Sequence, residues 1–410
     1  MCLKILNLLL CQCCVSSNKK KKKKDKNKQS IKQVMRQTKP SDKTKIGWFT
    51  ISGEKLTYSQ IDNKDLTQEY YIPRDFKSED ECVRFKGWKI KEEIGSGSYA
   101  KVWEAINIEN PDKIVAIKIL PFNDNVIQSN KMKQRNWDNF KQELVLLVRE
   151  KHKNIVEVFD HFIIYESCDK YNCYIVMELA KQGSILKQII DENHEYNDSL
   201  YKPLSEIKVK SYFRDTAFGL QYLHNKNITH KDLKLSNLLV FIDKSGQEMV
   251  KIADFGTSRV SYKEDVVKDY KCYGTVDYMS PQIFRIYVYI QIGQKIDVLK
   301  KYNPFEADLW SLGVCLYVMI CAKIPFLPKD CDSYHEVNQN IKTYKFIYRN
   351  MINKRYEISD QTINTYTDQC LDILSQLLHP NSSDRIKIDA VLQHKWLNSQ
   401  TNDENYEIIT

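Results

Sequence analysis

Most of the sequence, residues 88–397, lacks the cysteine spacing that marks a zinc-binding or disulfide-stapled protein. Twelve cysteines occur among its 410 residues, but they are scattered, and residues 88–397 hold no Cys-x-x-Cys pair. Zinc sites and redox disulfides commonly use such pairs, and structural disulfides need an oxidising compartment. We therefore expect neither a zinc site nor a disulfide framework, and the cysteine usage favours a cytoplasmic location.

Long hydrophobic runs are also missing near the N-terminus. The apolar stretch within residues 1–14 is too short to cross a bilayer, which takes about 20 residues. A secretory signal carries its positive charge before its apolar stretch, whereas here the basic block of residues 19–24 follows it. The order of these two features argues against a secretory signal.

Basic charge is scarce outside one segment. The whole chain carries a net charge of +9, and residues 1–39 hold twelve Lys or Arg against one Asp. These residues contribute +11 of the total, so residues 40–410 carry a net charge of −2. A region this close to neutral gives no electrostatic basis for general nucleic-acid binding, and no specific nucleic acid is expected as a partner.

The basic segment lies beside Cys11, Cys13 and Cys14. Clustered cysteines next to a lysine block predict reversible palmitoylation reinforced by anionic lipid, because stable anchoring takes two signals. This interpretation predicts association with an anionic membrane surface. Two other interpretations stay open: a solvated, disordered tail and a nuclear localisation signal.

The chain does contain an ordered set of groups suited to phosphoryl transfer. Residues 230–237 read His-Lys-Asp-Leu-Lys-Leu-Ser-Asn, and Asp-Phe-Gly follows at 254–256. Phosphoryl transfer depends mostly on positioning and charge neutralisation. Asp232 is a candidate base, Lys234 a candidate phosphate-binding cation, and Asn237 and Asp254 are candidate metal ligands.

These two motifs resemble the H-R-D-L-x-x-x-N and D-F-G motifs of the protein kinases. The resemblance covers residues 88–397 and implies an α+β, two-lobed fold. It has a small lobe of mainly antiparallel β-sheet with one main helix, a larger mainly helical lobe, and a nucleotide cleft between them. It also implies ATP and Mg²⁺ as cofactors and proteins as substrates.

The segments outside that region are assigned by composition. Residues 1–39 form a Cys/Lys-rich tail, residues 40–87 a polar linker, and residues 398–410 a short C-terminal tail. The linker contains two aromatic pairs, which either dock on the small lobe or have no fixed place: Trp48 with Phe49, and Tyr70 with Tyr71.

The nucleotide-binding residues implied by the resemblance lie in several short segments. A glycine-rich loop at 94–102 has Ala100 in place of its third glycine, and Val-Ala-Ile-Lys at 115–118 supplies a lysine for the α- and β-phosphates. Glu143 on the following helix is expected to orient that lysine, with Glu150 as the competing candidate. The segment 174–180 is expected to enclose the adenine. The full set is Ile94, Gly95, Ser96, Gly97, Val102, Ala116, Lys118, Glu143, Met177, Glu178 and Ala180.

Residues 273–282 resemble the end of a kinase activation segment. Kinases specific for serine and threonine carry a Gly-Thr pair here and a lysine two residues after the catalytic aspartate. Gly274, Thr275 and Lys234 fit this class, so the resemblance implies Asp232, Lys234 and Thr275 as catalytic residues of a Ser/Thr kinase. Farther along, Asp308 resembles the aspartate that steadies the catalytic loop.

Three departures from the kinase pattern concern regulation more than chemistry. Lys231 replaces an arginine, which it cannot match in bidentate binding, and Gln282 replaces the glutamate expected to pair with Arg385. The long spacing from Gln282 to Asp308 predicts a surface insertion at 287–301. Because Lys271 stands where many kinases carry an activating phosphothreonine, activity is expected without phosphorylation there.

Within the family, the motifs at 202–206, 237–240 and 250–256 look most like the calcium/calmodulin-dependent kinase kinases. Residues 398–410 leave no room for a basic amphipathic calmodulin-binding helix, which puts calmodulin in doubt as a partner.

The main alternative from another class is a pseudokinase that binds partners and turns nothing over. Its support is Ala100, Lys231 and Gln282, none of which touches the reacting phosphorus. A small-molecule kinase of similar fold is disfavoured by the full activation segment.

Overall fold

A computed structural model describes most of the region that resembles a kinase. The basic tail, Glu143 and Lys271 lie outside the described residues, so the expectations about them stay predictions. The described residues are 48–49, 55–56, 69–71, 87–97, 100–123, 144, 146, 149–167, 170–190, 202–260, 272, 274–293, 302–328 and 341–399.

The chain divides into two compact units. The first comprises Met1–Asn136 and Val158–Leu179, and the second comprises Trp137–Glu157 and Ala180–Thr410. The first contains a β-sheet and the second is mainly helical, so the predicted α+β class with a sheet lobe and a helical lobe is confirmed.

The sheet of the first unit has six strands. Its order is β3-β7-β8-β6-β5-β4, and every neighbouring pair is antiparallel except the parallel pair β3 and β7. A separate two-stranded pair, β1 with β2, precedes it. The strands are β1 (Trp48–Phe49), β2 (Lys55–Leu56), β3 (Glu69–Tyr71), β4 (Trp88–Ser96), β5 (Lys101–Asn107), β6 (Ile114–Asn123), β7 (Val158–Ser167) and β8 (Lys170–Glu178).

One face of this sheet forms an apolar core because alternate residues of a strand point to the same side. Val115 and Ile117 of β6 are fully buried there, and Phe162 of β7 stacks on Tyr174 of β8 at a centroid distance of 4.8 Å. Burying each such side chain contributes about 1.5–3 kcal/mol. The remaining core residues are Trp88, Ala105, Ile164 and Val176.

The second unit contains nine α-helices among its described elements, together with two short strand pairs. The strands are β9 (Ile228–Thr229), β10 (Leu238–Ile242), β11 (Glu248–Ile252) and β12 (Arg259–Val260). The helices are α1 (Ile185–Ile189), α2 (Glu206–Asn225), α3 (Pro281–Gln291), α4 (Pro304–Cys321), α5 (Ile341–Ile352), α6 (Asp360–Thr365), α7 (Asp368–Leu377), α8 (Ile388–Leu392) and α9 (Lys395–Asn398).

Helix α4 is the central helix of this unit. Asn303 caps it by accepting a hydrogen bond from Phe305 N–H at 3.0 Å, and the helix ends where Ala322 adopts a left-handed φ of 52°. Among the described residues, α4 is the one helix long and apolar enough to cross a membrane, but 78% of it is buried inside the protein. That burial is typical of a core helix.

The surface insertion predicted at 287–301 is wrong at Tyr287, whereas Ile290 and Gln291 are exposed as expected. Residues 287–291 continue α3, and Tyr287 is buried, with its ring 6.1 Å from that of Phe284 and 6.4 Å from that of Tyr344. The apolar residues Ile283, Phe284, Ile286 and Tyr287 recur at helical spacing and therefore keep one face packed. Residues 294–301 lie outside the described part of the chain.

The predicted linker contributes three of the short strands. Trp48 and Phe49 form β1, whereas Tyr70 and Tyr71 lie in β3, which pairs with the edge of the first unit's sheet. For this second aromatic pair the structure favours docking over the absence of a fixed place. The boundaries of the linker stay a prediction.

Candidate active site

A buried carboxylate fixes the loop that carries the His-Lys-Asp motif. The Oδ1 atom of Asp308 in α4 accepts a hydrogen bond from Lys231 N–H at 2.8 Å, and Oδ2 accepts one from His230 N–H at 2.8 Å. The side chain of His224 adds a third contact, with Nε2 3.0 Å from Oδ2. Hydrogen bonds to a charged acceptor are stronger than neutral ones. Asp308 therefore steadies the loop, as expected.

His230 joins this loop to the Asp-Phe-Gly loop. Its Nδ1 accepts from Asp232 N–H at 3.3 Å, which leaves Nε2 to donate to Ala253 O at 3.0 Å. The ring also meets Phe255 edge-on, with centroids 5.4 Å apart. The base candidate and the residue before Asp254 are thus held by one buried imidazole.

Asp232, Lys234 and Thr275 form one hydrogen-bonded cluster. Oδ1 of Asp232 accepts from both the N–H and the hydroxyl of Thr275, each at 2.8 Å. Nζ of Lys234 lies 2.9 Å from Asp232 Oδ2 and donates to Thr275 Oγ1 at 2.9 Å. The side chains of Lys234 and Asp232 keep 16% and 13% of their surface exposed, so the cluster remains accessible to a substrate hydroxyl.

The close approach of the two segments in this cluster requires glycine at position 274. Gly274 has a φ of +100°, and a Cβ placed there would lie 2.7 Å from Lys231 O. Real Cβ atoms do not approach a carbonyl oxygen so closely, and a side chain at this φ would add backbone strain. Gly274 thus lets Thr275 reach Asp232.

A main-chain hydrogen bond joins the two segments that carry the candidate metal ligands. Asn237 donates from Nδ2 to Asp232 O at 2.9 Å, which leaves its amide oxygen as the acceptor for a cation. Its main-chain oxygen accepts from Ala253 N–H at 2.9 Å, one residue before Asp254. The side chain of Asp254 is exposed, and its φ is 62°. One amide and one carboxylate oxygen are hard ligands of the kind that Mg²⁺ prefers, so the donor set fits that ion.

In the first unit, the described residues of the glycine-rich segment lie at the end of β4 and the start of β5. Gly95 lies opposite Val102, and Gly97 N–H donates to Ala100 O at 2.7 Å. Across these two strands, Lys101 Nζ pairs with Glu93 Oε2 at 2.7 Å. The alanine in place of the third glycine is thus compatible with a hydrogen bond from Gly97 N–H.

The other nucleotide-binding candidates of this unit lie on paired strands. Ala116 of β6 is directly opposite Met177 of β8, and both are buried. Lys118 is opposite Val102 on one side and Ile175 on the other. The register therefore places Val102, Ala116, Lys118 and Met177 on three adjacent strands.

The structure gives fewer contacts for three further nucleotide-binding candidates. Glu178 ends β8, and Ala180 lies at the start of the second unit, where its oxygen accepts from Gly183 N–H at 2.9 Å. Glu143 lies outside the described residues, so its pairing with Lys118 stays a prediction. The competing Glu150 accepts a hydrogen bond from Tyr222 at 3.1 Å and is engaged in the second unit.

Residues 88–397 match the protein kinase domain. The chain belongs to the protein kinase family. The match covers most of the 410 residues and coincides with the extent of the resemblance read from the motifs.

Several curated relatives of this kinase are named as kinases themselves. It is 28% identical over 305 residues to a probable myosin light chain kinase of Dictyostelium discoideum, covering 74% of this chain and 65% of that one. It is 29% identical over 319 residues to testis-specific serine/threonine-protein kinase 2 of Mus musculus, covering 77% and 74%. It is 26% identical over 338 residues to calcium-dependent protein kinase 5 of Plasmodium falciparum, covering 82% and 49%. The chain thus spans less than two thirds of the first and third relatives.

The kinase holds Arg385 without the family's glutamate. The guanidinium of Arg385 donates to His379 O from Nε at 3.1 Å and from Nη2 at 2.9 Å, and to Glu306 O from Nη1. It also lies over the ring of Trp310, 5.2 Å from the centroid. Gln282 donates to Pro380 O at 2.6 Å, and its oxygen is 3.5 Å from Nη2. Gln282 thus gives Arg385 one long contact from a neutral acceptor in place of an ion pair.

His224, which was not predicted from the sequence, also positions the loop that carries Asp232. His224 lies near the end of α2, is buried, and contacts Asp308 Oδ2 as well as the edge of the Phe305 ring at 5.0 Å. The available signal was a histidine on the apolar face of a helix six residues before His230. A histidine in that setting is more often a core residue than a positioning one, and here it is both.

Proposed function

We propose that this protein is an ATP-dependent Ser/Thr protein kinase that transfers the γ-phosphoryl group of ATP to a hydroxyl of a protein substrate. The observation that carries the proposal is the cluster of Asp232, Lys234 and Thr275. It joins a carboxylate, a cation and a hydroxyl within 2.9 Å of one another. Membership of the protein kinase family and the names of relatives support the same activity.

In the proposed mechanism, Asp232 orients the substrate hydroxyl and accepts its proton as the oxygen attacks the γ-phosphorus. The bond from that phosphorus to the β,γ-bridging oxygen breaks, and ADP leaves. Lys234 neutralises charge on the transferring group, and Thr275 holds Asp232 and Lys234 in register. Electrostatic preorganisation of this kind is usually the largest contribution to catalysis.

Asn237 and Asp254 would hold Mg²⁺, which neutralises phosphate charge when bound. The amide oxygen of Asn237 is left available because its nitrogen is used by Asp232 O. Lys118, oriented by Glu143, is proposed to bind the α- and β-phosphates. Ile94, Gly95, Ser96, Gly97 and Val102 would cover the phosphates, and Ala116, Met177, Glu178 and Ala180 would contact the adenine.

The test is phosphoryl transfer to a generic basic protein by the purified chain. Asp232→Asn should abolish transfer and leave nucleotide binding, whereas Asp368→Asn, an exposed carboxylate remote from the cluster, should leave transfer unchanged. Nucleotide binding without turnover in the wild-type protein would favour the pseudokinase alternative, which rests on Ala100, Lys231 and Gln282.

We propose that activity does not depend on phosphorylation of the activation segment. The support is sequence chemistry: Lys271 carries no hydroxyl, and Lys231 lacks the planar fork that binds a phosphate. Phosphatase-treated enzyme should keep its activity. Activity that required a phosphate on Ser261, Tyr270 or Tyr273 would contradict the proposal.

We propose a likeness to the calcium/calmodulin-dependent kinase kinases within the family, on the motifs at 202–206, 237–240 and 250–256. Residues 398–410 carry three acidic side chains and no basic one, so we propose that this segment does not bind calmodulin. Binding of calcium-loaded calmodulin to a peptide of these residues would contradict the proposal.

We propose that the tail places the kinase at an anionic membrane surface from the cytoplasmic side. Palmitoylation of Cys11, Cys13 and Cys14 would supply one signal and the lysines of residues 19–28 the other. Hydroxylamine-sensitive acyl labelling should be lost when all three cysteines are changed to serine. Unlabelled wild-type protein that stays in the soluble fraction would contradict the proposal.

A further inference from the structure

Strand β7 has a second edge, opposite the one that pairs with β8. Its residues Phe162, Ile163 and Ile164 are almost completely buried, and one side of the strand pairs with β8. Among the described strands of the region that matches the kinase family, which begins at residue 88, none pairs with the other side. An uncovered edge of apolar residues offers unpaired N–H and C=O groups to any extended chain.

A segment ahead of that region fills this edge. The three residues of β3 pair in parallel with β7: Glu69 is opposite Ile163, Tyr70 opposite Ile164, and Tyr71 opposite Tyr165. The sheet thereby gains a sixth strand, and β3 takes the outermost position at this end.

The topology makes this pairing selective. Strands β3 and β4 follow one another in the chain but lie at opposite edges of the sheet. Five strand spacings separate them, about 24 Å. Residues 72–86 reach about 50 Å when extended, so one chain is long enough to place both strands. Consecutive strands usually pair or lie side by side. Because β3 does not lie beside β4, its position is set by pairing with the edge of β7 and not by a tight turn.

We infer that the edge of β7 is a strand-docking surface whose occupant is residues 69–71 of the same chain. The six-stranded sheet of the first unit therefore extends to β3, ahead of the residues that match the family. Recognition is by strand addition, in which main-chain hydrogen bonds supply the affinity. The inference rests on the fold and does not depend on the proposed catalytic activity.

Amide hydrogen exchange of the full-length protein tests the docking directly. In wild-type protein, the amides of residues 163–165 that face away from β8 should be protected at least tenfold over open-chain rates. This result does not depend on any variant. Exchange at open-chain rates would overturn the inference.

Two proline variants add a signature specific to backbone pairing. Alternate residues of a parallel strand direct their N–H groups to the same neighbour, so only one of Tyr70→Pro and Tyr71→Pro removes a donor to β7. We expect clearly faster exchange at residues 163–165 in one variant and a smaller change in the other. Equal, wild-type-like exchange in both would overturn the inference.

Threonine variants are the matched controls. Tyr70→Thr and Tyr71→Thr remove the ring but keep the N–H and a strand-forming side chain, so residues 163–165 should stay protected. If residues 163–165 exchange as fast in the threonine variants as in the faster-exchanging proline variant, the protection comes from ring packing, which would contradict strand docking. The amides of residues 115–117 report whether the core of the sheet is intact.

Light scattering decides which chain supplies the strand. A monomer with protected residues 163–165 supports docking within one chain. A dimer that the damaging proline variant converts to monomer would assign the occupant to a second copy and overturn the same-chain inference.

Discussion

The side-chain oxygen of Gln282 lies 3.5 Å from Nη2 of Arg385, whereas His379 O lies 2.9 Å from the same nitrogen. The buried guanidinium is therefore held by main-chain carbonyls and by the face of Trp310, with Gln282 in a minor part. Burial lowers the pKa of Arg385 to about 10, a value at which the group stays charged at neutral pH.

This arrangement predicts unequal costs of mutation at the two positions. Gln282→Ala removes one hydrogen bond to Pro380 O and a weak contact, so it should cost about 1 kcal/mol of unfolding free energy. Arg385→Met leaves the carbonyls of His379 and Glu306 without donors and should cost about 3 kcal/mol or more. Urea unfolding measures both. Equal costs would mean that Gln282 is the main partner of Arg385.

The sequence singled out the residues of the cluster of Asp232, Lys234 and Thr275 but not the environment of Arg385, and the reason is physical. Asp232, Lys234 and Thr275 carry distinctive side chains at fixed spacings in recognisable motifs. The acceptors of Arg385 are main-chain oxygens, which every residue carries, so they cannot be predicted from the side chains of His379 and Glu306.

The same limit applies to the fold. The two-lobed α+β class was predicted from the motifs. The apolar residues of α3 recur at helical spacing up to Tyr287, but the long gap between Gln282 and Asp308 led to the prediction of an insertion there. Docking of Tyr70 and Tyr71 was one of two open alternatives, but the edge with which β3 pairs was not predictable, because a three-residue strand carries too little pattern to select one sheet edge over another.

Thr275 should contribute to catalysis through its hydroxyl. Thr275→Ala removes the bonds from the hydroxyl to Asp232 and from Lys234 to the hydroxyl. Bonds to charged groups are worth about 1.5–3 kcal/mol, so kcat should fall roughly tenfold to a hundredfold with little change in KM for ATP. Thr275→Ser keeps the hydroxyl and should retain most activity. A serine variant as impaired as the alanine variant would contradict this role.

Gly274 and Gly246 form a matched pair of glycines at positive φ. A Cβ at Gly274 would meet Lys231 O at 2.7 Å, whereas a Cβ at Gly246 would meet nothing within 4 Å. Gly246→Ala should therefore cost only about 1–2 kcal/mol of backbone strain and leave kcat unchanged. Gly274→Ala should lower kcat at least roughly tenfold, because Lys231 O must move and Asp232 is next to it. For both variants, unfolding curves measure the cost of backbone strain, and steady-state kinetics measure the loss of kcat that follows from displacement of Lys231 O and Asp232.

Asp215 predicts a pH dependence of stability. Burial raises the pKa of its carboxyl above the ordinary 3.8, against the opposing effects of Val250 N–H, Asn154, Lys153 and Arg214. A folded pKa above the unfolded one means that the folded state binds the proton more tightly. This contribution to stability is present below pH 3.8 and is lost as pH rises through the folded pKa.

Asp215→Asn tests that dependence. The variant keeps an oxygen to accept from Val250 N–H, which lies 2.9 Å from Asp215 Oδ2, but it has no titrating proton. Urea unfolding from pH 4 to pH 7 should show the wild-type stability falling relative to the variant as pH rises. If the difference in unfolding free energy between wild type and variant is constant with pH, or grows in favour of the wild type as pH rises, the result would contradict the raised pKa of Asp215.

The most direct test of the account is the transfer of label from γ-labelled ATP to a protein acceptor by the purified Asp254→Ala variant. Asp254, with Asn237, is proposed to hold the divalent metal, so the variant should keep its fold by circular dichroism and its transfer rate should fall at least about a hundredfold. Transfer at the wild-type rate would contradict the assignment of the site.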